Sequence, residues 1–144
     1  MYAIVRKSCV RMIKETVKPF GSGIRLFDWD AHAEGQDLPK TDLVGISGFA
    51  CTLEHPFHDI TFSVAVMVHD DPNLGRLIDY TDAFYKRLQA HAKFPIYNAD
   101  GTPTGFEAVI FDGTQAAPMS RVDYRPTMEV TVSARVTQAG EWPQ

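Results

Sequence analysis

The chain has 144 residues, of which 44% are hydrophobic and 22% charged, and this predicts one globular domain over residues 1–144 with a core of its own. Its net charge of −4 argues against a protein that wraps nucleic acid by bulk charge. No apolar run is long enough to cross a membrane and no secretory signal is recognisable, so neither a membrane-spanning nor an exported protein is predicted.

The first predicted element is a helix over Tyr2 to Val17, which Pro19 and Gly21 terminate. Its apolar stripe consists of Val5, Cys9, Met12, Ile13 and Val17. The other faces carry a basic set, Arg6, Lys7, Arg11 and Lys14. A solvated helix face and a nucleic-acid surface both fit this set, and the acidic balance of the whole chain favours the solvated face.

The next segment, 20–40, is irregular, with a short strand predicted at Ile24–Phe27. After it, acidic and histidine side chains alternate at Asp28, Asp30, His32 and Glu34. Alternation in an extended segment places them on one side, where they would suit a cation, but the spacing is not that of an EF-hand. An exposed loop is the favoured interpretation, because loose acidic clusters are usually solvated.

A hairpin is predicted from two strands that meet at a turn near residues 54–57. The first covers Thr41 to His55, with Gly45 and Gly48 indicating a bulge or twist. In the second, the residues Ile60, Phe62, Val64, Val66 and Val68 alternate with smaller or polar ones, which predicts one buried face. His55 and His58 in the turn, with Asp59 beside them, are a weak candidate metal cluster, because two histidines without a third ligand at a fixed offset are a weak signal.

An amphipathic helix follows the hairpin, with Asp71 as a predicted cap and Pro72 at the first helical position. Its predicted stripe is Leu74, Leu77, Ile78, Thr81, Phe84, Tyr85, Leu88 and Ala92. Two further strands are predicted at Phe106–Phe111 and Thr127–Thr137, whereas 98–105 and 112–118 read as loops and 138–144 as a flexible or partner-bound tail. The predicted fold is α/β (α+β): a mostly antiparallel or mixed sheet of four to five strands with two main helices packed on it.

Catalytic motifs are not recognisable in the sequence. Ser47, Ser63, Ser120 and Ser133 lie outside any G-x-S-x-G pattern, and Gly21-Ser22-Gly23 does not open a phosphate-binding helix. The two cysteines, Cys9 and Cys51, fit buried reduced thiols. We therefore expect a protein that is not an enzyme, without catalytic residues, cofactor or bound metal.

The order of the elements, and the segments HDITFSVAVMVHDDPNLGRLIDYTDAFYKRLQAH and YRPTMEVTVSARV, resemble the tail terminator (tail completion) proteins of long-tailed bacteriophages over roughly Met1 to Thr137. The resemblance implies a structural virion protein that caps the tail tube as a hexameric ring. Such a ring ends tube polymerisation and joins the tail to the head-side connector of the neck. Its implied partners are further copies of the chain, the tail tube protein and the connector, and it is implied to reside in the host cytoplasm until assembly.

Ring subunits need heterologous contacts, so one surface of each copy must complement a different surface of the next. Candidate interface residues are Arg121 and Arg125 in a loop, Trp142 in the tail, and Trp29. Exposed arginines without a partner are an equally good account of the first two. A net-acidic ring would let DNA pass through its lumen without specific binding.

Three alternatives remain at this point. The chain is also compatible with another neck or tail component, such as a head-closure or tail-tube-like protein. A small metal-dependent enzyme would use His55, His58 and the acidic segment. A nucleic-acid-binding module would use the basic face of the first helix.

Overall fold

The computed structural model describes residues 1–32, 36–54, 57–111, 114–118 and 125–140. Within these ranges there are two helices, α1 (Tyr2–Val17) and α2 (Gly75–Arg87), and seven strands: β1 (Ile24–Leu26), β2 (Asp42–Glu54), β3 (Phe57–Met67), β4 (Lys93–Tyr97), β5 (Pro103–Ile110), β6 (Gln115–Pro118) and β7 (Thr127–Gln138). Short 3₁₀ turns occupy Lys18–Gly23 and Trp29–Ala31. The α+β class with two helices on a mixed sheet is as predicted.

The seven strands form one sheet in the order β1-β2-β3-β7-β5-β4, with β6 paired to β7. The β1–β2 pair is parallel, and the other strand pairs of the described residues are antiparallel. Helix α1 contacts both β2 and β4, which lie far apart in the strand order. The sheet therefore curls around the helical layer.

The core lies between the inner face of the sheet and the two helices. The stripe of α1 is buried as predicted, from Val5 to Val17. Opposite it, the alternate residues of β3 and β7 are buried together: Ile60, Phe62, Val64, Val66, Val130, Val132, Ala134 and Val136. Period-two alternation thus correctly identified the inner face of the two central strands.

The prediction of four to five strands is wrong, because β4 and β6 were not recognised. β4 contains Pro95, which a sheet tolerates here because β4 is at the edge. β6 has only four residues, and it continues the line of β5 along one edge of β7. Its strand character depends on that long-range pairing and is not visible in local sequence.

A second apolar cluster covers part of the outer face of the sheet. Leu38, Leu43 and Met67 are buried there, with Phe27 and Trp29 packed against them. The expectation of one buried face for β3, and of an exposed loop throughout 28–40, is therefore wrong in this region. A loop that carries a tryptophan and a leucine gains more by covering Met67 than by remaining solvated.

Glycine is required at two positions of β2 for two different structural reasons. Gly48 has a φ of 63° at a register shift between Ser47 and Ala50, which confirms the predicted bulge. Gly45 lies against the backbone of Phe27, where an added Cβ would fall 1.5 Å from the carbonyl oxygen. Only glycine permits this close approach of the two segments.

Candidate functional site

An exposed row of apolar side chains runs along α2. Leu74, Ile78 and Tyr85 are 38%, 61% and 43% exposed, and their spacing places them on one side of the helix. Together with Ala116 of β6 and Met128 of β7 they line a shallow groove of about 300 Å³. Clustered exposed apolar side chains of this kind mark surfaces that bind other proteins. We call Leu74, Ile78 and Tyr85 the α2 stripe.

The structure divides the single stripe that the sequence predicts for this helix into two. One part is buried against the sheet and consists of Leu77, Thr81, Phe84 and Leu88, which Tyr80 joins. The other part is the exposed α2 stripe. No local signal in the sequence separates the two parts, because both lie within one apolar arc of ordinary width.

Helix α2 begins later than predicted. Its N-cap is Leu74, which has a φ of 57°, and a turn from Asp71 to Leu74 precedes it. Pro72 belongs to that turn, so its placement at the first helical position is wrong. Asp71 does satisfy the helix start, because its carboxylate accepts a hydrogen bond from the Leu77 N–H at 3.0 Å.

A buried carboxylate anchors α2 to the sheet. Asp42, at the start of β2, is 4% exposed. It accepts hydrogen bonds from Arg76 Nε and from the Tyr80 hydroxyl, each at 2.9 Å, and from the His69 N–H at 2.9 Å. One side chain therefore joins β2, the loop after β3 and two positions of α2, which fixes the direction in which the α2 stripe faces.

The hydrogen bonds of this cluster determine its ionisation. Burial alone would raise the pKa of Asp42, but the hydrogen bonds from Arg76, the His69 N–H and Tyr80 outweigh it and lower that pKa. Burial and the Asp42 carboxylate together raise the pKa of Tyr80 to about 12. The cluster therefore holds an ionised aspartate beside a neutral tyrosine, and these groups serve to position the helix.

The acidic segment after β1 is engaged within the fold. Arg6 Nη2 of α1 donates to both carboxylate oxygens of Asp28, at 2.8 and 2.9 Å. Asp30 accepts hydrogen bonds from the Gly48 N–H at 2.7 Å and the Phe49 N–H at 3.4 Å, at the bulge of β2. Glu34, the fourth member of the predicted alternation, lies outside the described residues. The carboxylates of Asp28 and Asp30 thus stabilise the bulge and the α1 contact.

Asp59, the acidic member of the predicted turn cluster, is also paired within the fold. His55 lies outside the described residues, and His58 is in β3. Asp59 accepts two hydrogen bonds from Arg135 of β7, at 2.7 and 3.1 Å. Within the described ranges, no group of three or more His, Cys, Asp or Glu side chains is arranged to hold a metal ion.

Two of the four predicted interface residues lie in the described part of the chain. Trp29 is half-buried, and its indole N–H donates to the Ala65 carbonyl at 3.0 Å. Arg125 Nη1 donates to the Pro39 carbonyl at 2.6 Å, so it ties the start of β7 to the covering loop. Arg121 and Trp142 are outside the described residues. The α2 stripe was not among the predicted interface residues.

The cysteines are free thiols, as predicted. Cys9 is fully buried in α1, and burial raises its pKa. Cys51 is only half-buried in β2, so its predicted burial is incomplete. Burial also raises the pKa of Cys51, and a raised pKa lowers the fraction of reactive thiolate at neutral pH.

Comparisons with known proteins reveal the fold alone. No protein-family model matches the chain, and no curated protein matches it in sequence. One solved structure, whose name describes no activity or partner, covers 98% of this chain and 99% of its own with a TM-score of 0.62 and 9% identity. In the described part of the chain, no helix is long and apolar enough to cross a membrane.

Proposed function

We propose that this protein is a tail terminator of a long-tailed bacteriophage, a structural subunit that assembles into a ring, with six copies as the expected number. The ring caps the tail tube, ends its polymerisation and joins it to the head-side connector. The partners in this proposal are further copies of the chain, the tail tube protein and a neck protein, and DNA passes through the lumen. The protein functions in the neck of the virion, and catalysis has no part in the proposal.

The observation that carries the proposal is the α2 stripe. An isolated subunit gains nothing from holding Ile78 61% exposed beside Leu74 and Tyr85, whereas an assembly subunit buries such side chains against a partner. The helix that carries the stripe is also anchored, because Arg76 and Tyr80 bind Asp42. A helix whose backbone is already fixed loses little backbone freedom on binding.

The sequence resemblance supports the same function. It rests on the order of the elements and on the two quoted segments, which span most of β3, all of α2 and most of β7. The likeness to the solved structure, at 9% identity, supports the fold and carries no information about function.

The test is the mass of the purified protein in solution, measured by light scattering with and without isolated tail tubes. A hexamer, or a monomer that forms rings only on tubes, supports the proposal. Growth of tubes from tube protein, followed by electron microscopy, then separates a terminator from other neck components. A terminator stops elongation, whereas a protein that stays monomeric and leaves tubes growing contradicts the proposal.

A further inference from the structure

A groove lies between α1 and β1, at one end of the sheet. Its volume is about 790 Å³, and its apolar floor includes Val10, Ile24 and Leu26. Leu26 is 43% exposed although it belongs to a strand. We call this surface the α1–β1 groove. Its rim carries lysines of α1 and of the turn that follows it, Lys7, Lys14 and Lys18.

One wall of the groove is an open sheet edge. β1 ends the strand order, and among the described residues it pairs with β2 alone. The Phe27 N–H donates to the Val44 carbonyl at 2.8 Å. The peptide groups of successive residues in a strand point to opposite sides, so the N–H and C=O of Leu26 point away from β2, along the open edge. A polypeptide that pairs with this edge also lies beside the apolar floor.

The opposite end of the sheet is closed to a further strand. β4 contains Pro95, which has no N–H to donate. The Tyr97 N–H donates to Ser8 Oγ of α1 at 3.0 Å, and the Lys93 carbonyl accepts from Arg87 Nη2 of α2 at 3.1 Å. Proline and covering elements are ways in which proteins protect a sheet edge. β1 contains no proline, so it is the edge at which a strand is more readily added.

The lysines of the rim are available to an acidic partner. Arg11 is ion-paired at 3.2 Å with Glu15, the acidic side chain of the groove lining. The three lysines are exposed, and none of them has an ion pair within the described part of the chain. The rim is therefore basic beside an apolar floor, although the whole chain has a net charge of −4. An occupant with both apolar and acidic side chains complements this surface.

A peptide fits the groove better than a nucleic acid does. Among the described residues, the groove lining contains no aromatic side chain on which a base would stack. A phosphate backbone would use the lysines but neither the apolar floor nor the open edge. The acidic segment of this chain is already engaged, because Arg6 binds Asp28 and the Gly48 N–H binds Asp30. The occupant is therefore assigned to a different protein.

We propose that the α1–β1 groove binds an extended acidic segment of another protein, which adds a strand to the edge of β1. Its backbone pairs with the N–H and C=O of Leu26, its apolar side chains cover the floor, and its Asp or Glu side chains reach the lysines. Strand addition gains affinity from main-chain hydrogen bonds and specificity from pockets for alternate side chains. The groove shares no lining residue with that of the α2 stripe, so the site does not depend on the proposed ring.

The first experiment selects a displayed library of random peptides against the full chain. Enriched peptides should alternate apolar residues with others and carry Asp or Glu. The double variant Lys14→Glu, Lys18→Glu should bind such a peptide about tenfold or more weakly, because it opposes like charges. Lys40→Glu, at an exposed position outside the groove, is the matched control and should bind as the wild type does. Circular dichroism verifies that both variants are folded.

Amide hydrogen exchange of the wild-type protein, measured by NMR, tests strand addition separately from charge. With an enriched peptide bound, the Leu26 N–H should exchange about tenfold or more slowly, because it gains an acceptor. The Phe27 N–H is already bonded to Val44 and is the internal reference.

The two measurements separate the outcomes. Acidic peptides that need the lysines and protect the Leu26 N–H support the proposal. Peptides that need the lysines but leave Leu26 exchange unchanged bind by charge alone and overturn strand addition. A selection that yields no lysine-dependent peptide overturns the site, and salt-dependent binding of duplex DNA that the double variant loses would then assign the rim to nucleic acid. Ring formation is measured independently, by light scattering.

Discussion

The guanidinium of Arg76, in the first turn of α2, lies 2.9 Å from the carboxylate of Asp42, the first residue of β2. The pair is asymmetric, because the Asp42 side chain is 5% exposed and that of Arg76 is 46% exposed. Removing Asp42 should therefore lower the stability of the protein more than removing Arg76. Without Asp42, a buried hydroxyl and a backbone N–H lose their acceptor.

Asp42→Ala is expected to lower the free energy of unfolding by about 3 kcal/mol, because it leaves the Tyr80 hydroxyl and the His69 N–H without their acceptor. Urea unfolding followed by circular dichroism measures this change. Asp79→Ala, on the exposed side of the same helix, is the control and should change the value by less than about 0.5 kcal/mol. Equal effects of the two substitutions would contradict the anchoring role.

The lowered pKa of Asp42 makes stability depend on pH in a definite direction. Its stabilising contribution is full above the unfolded pKa of about 3.9 and is lost as the pH falls through the lower folded pKa. Wild-type protein should therefore lose stability between about pH 5 and pH 2 more steeply than Asp42→Asn. Thermal unfolding over a pH series measures the two slopes, and Asp37→Asn, at an exposed position, should follow the wild type. Parallel curves for wild type and Asp42→Asn would refute the assignment.

Gly45→Ala is expected to destabilise the fold by about 2–3 kcal/mol, because the new Cβ would overlap the Phe27 carbonyl and the backbone of β2 or of Phe27 must move. Gly23→Ala is the matched control, since an added Cβ there meets no atom within 4 Å. Its expected effect is neutral or slightly stabilising. Denaturant midpoints of the two variants provide the comparison, and a harmless Gly45→Ala would contradict the close approach.

Ile78→Ser is expected to weaken assembly strongly while it changes monomer stability by less than about 0.5 kcal/mol, because Ile78 is 61% exposed. Sedimentation or light scattering measures assembly, and urea unfolding measures stability. Ala99→Ser, at an exposed loop position away from α2, should assemble as the wild type does. Loss of stability in step with loss of assembly would mean that Ile78 belongs to the core.

Sequence patterns predicted the elements whose burial follows a local period. Helix α1 has its predicted bounds, and the alternation in β3 and β7 marks the inner face correctly. The edge strand β4 was not predicted. It contains Pro95, a residue that sheets tolerate mainly at an edge, although its alternate residues Phe94 and Ile96 are buried. The four-residue β6 carries no comparable local pattern and depends on its partner β7.

The candidate site was harder to predict than the fold for a physical reason. The buried row of α2 and the exposed α2 stripe belong to one apolar pattern in the sequence. Only the position of the sheet decides which of the two rows is covered. The Asp42 cluster joins residues 34 and 38 positions apart, so no local spacing indicates it. The acidic segment suggested a cation in sequence, whereas in the fold Arg6 supplies the positive charge for Asp28.

The central position of β7 has a consequence for biosynthesis. β7 pairs with β3, β5 and β6, yet it is the last of the described strands in chain order. While a ribosome is still translating the residues before Thr127, the β2–β3 hairpin has emerged and the edge of β3 has no partner. Unpaired edges of this kind promote aggregation. The sheet therefore completes only after β7 has left the exit tunnel, and until then chaperones should bind the unpaired edge of β3.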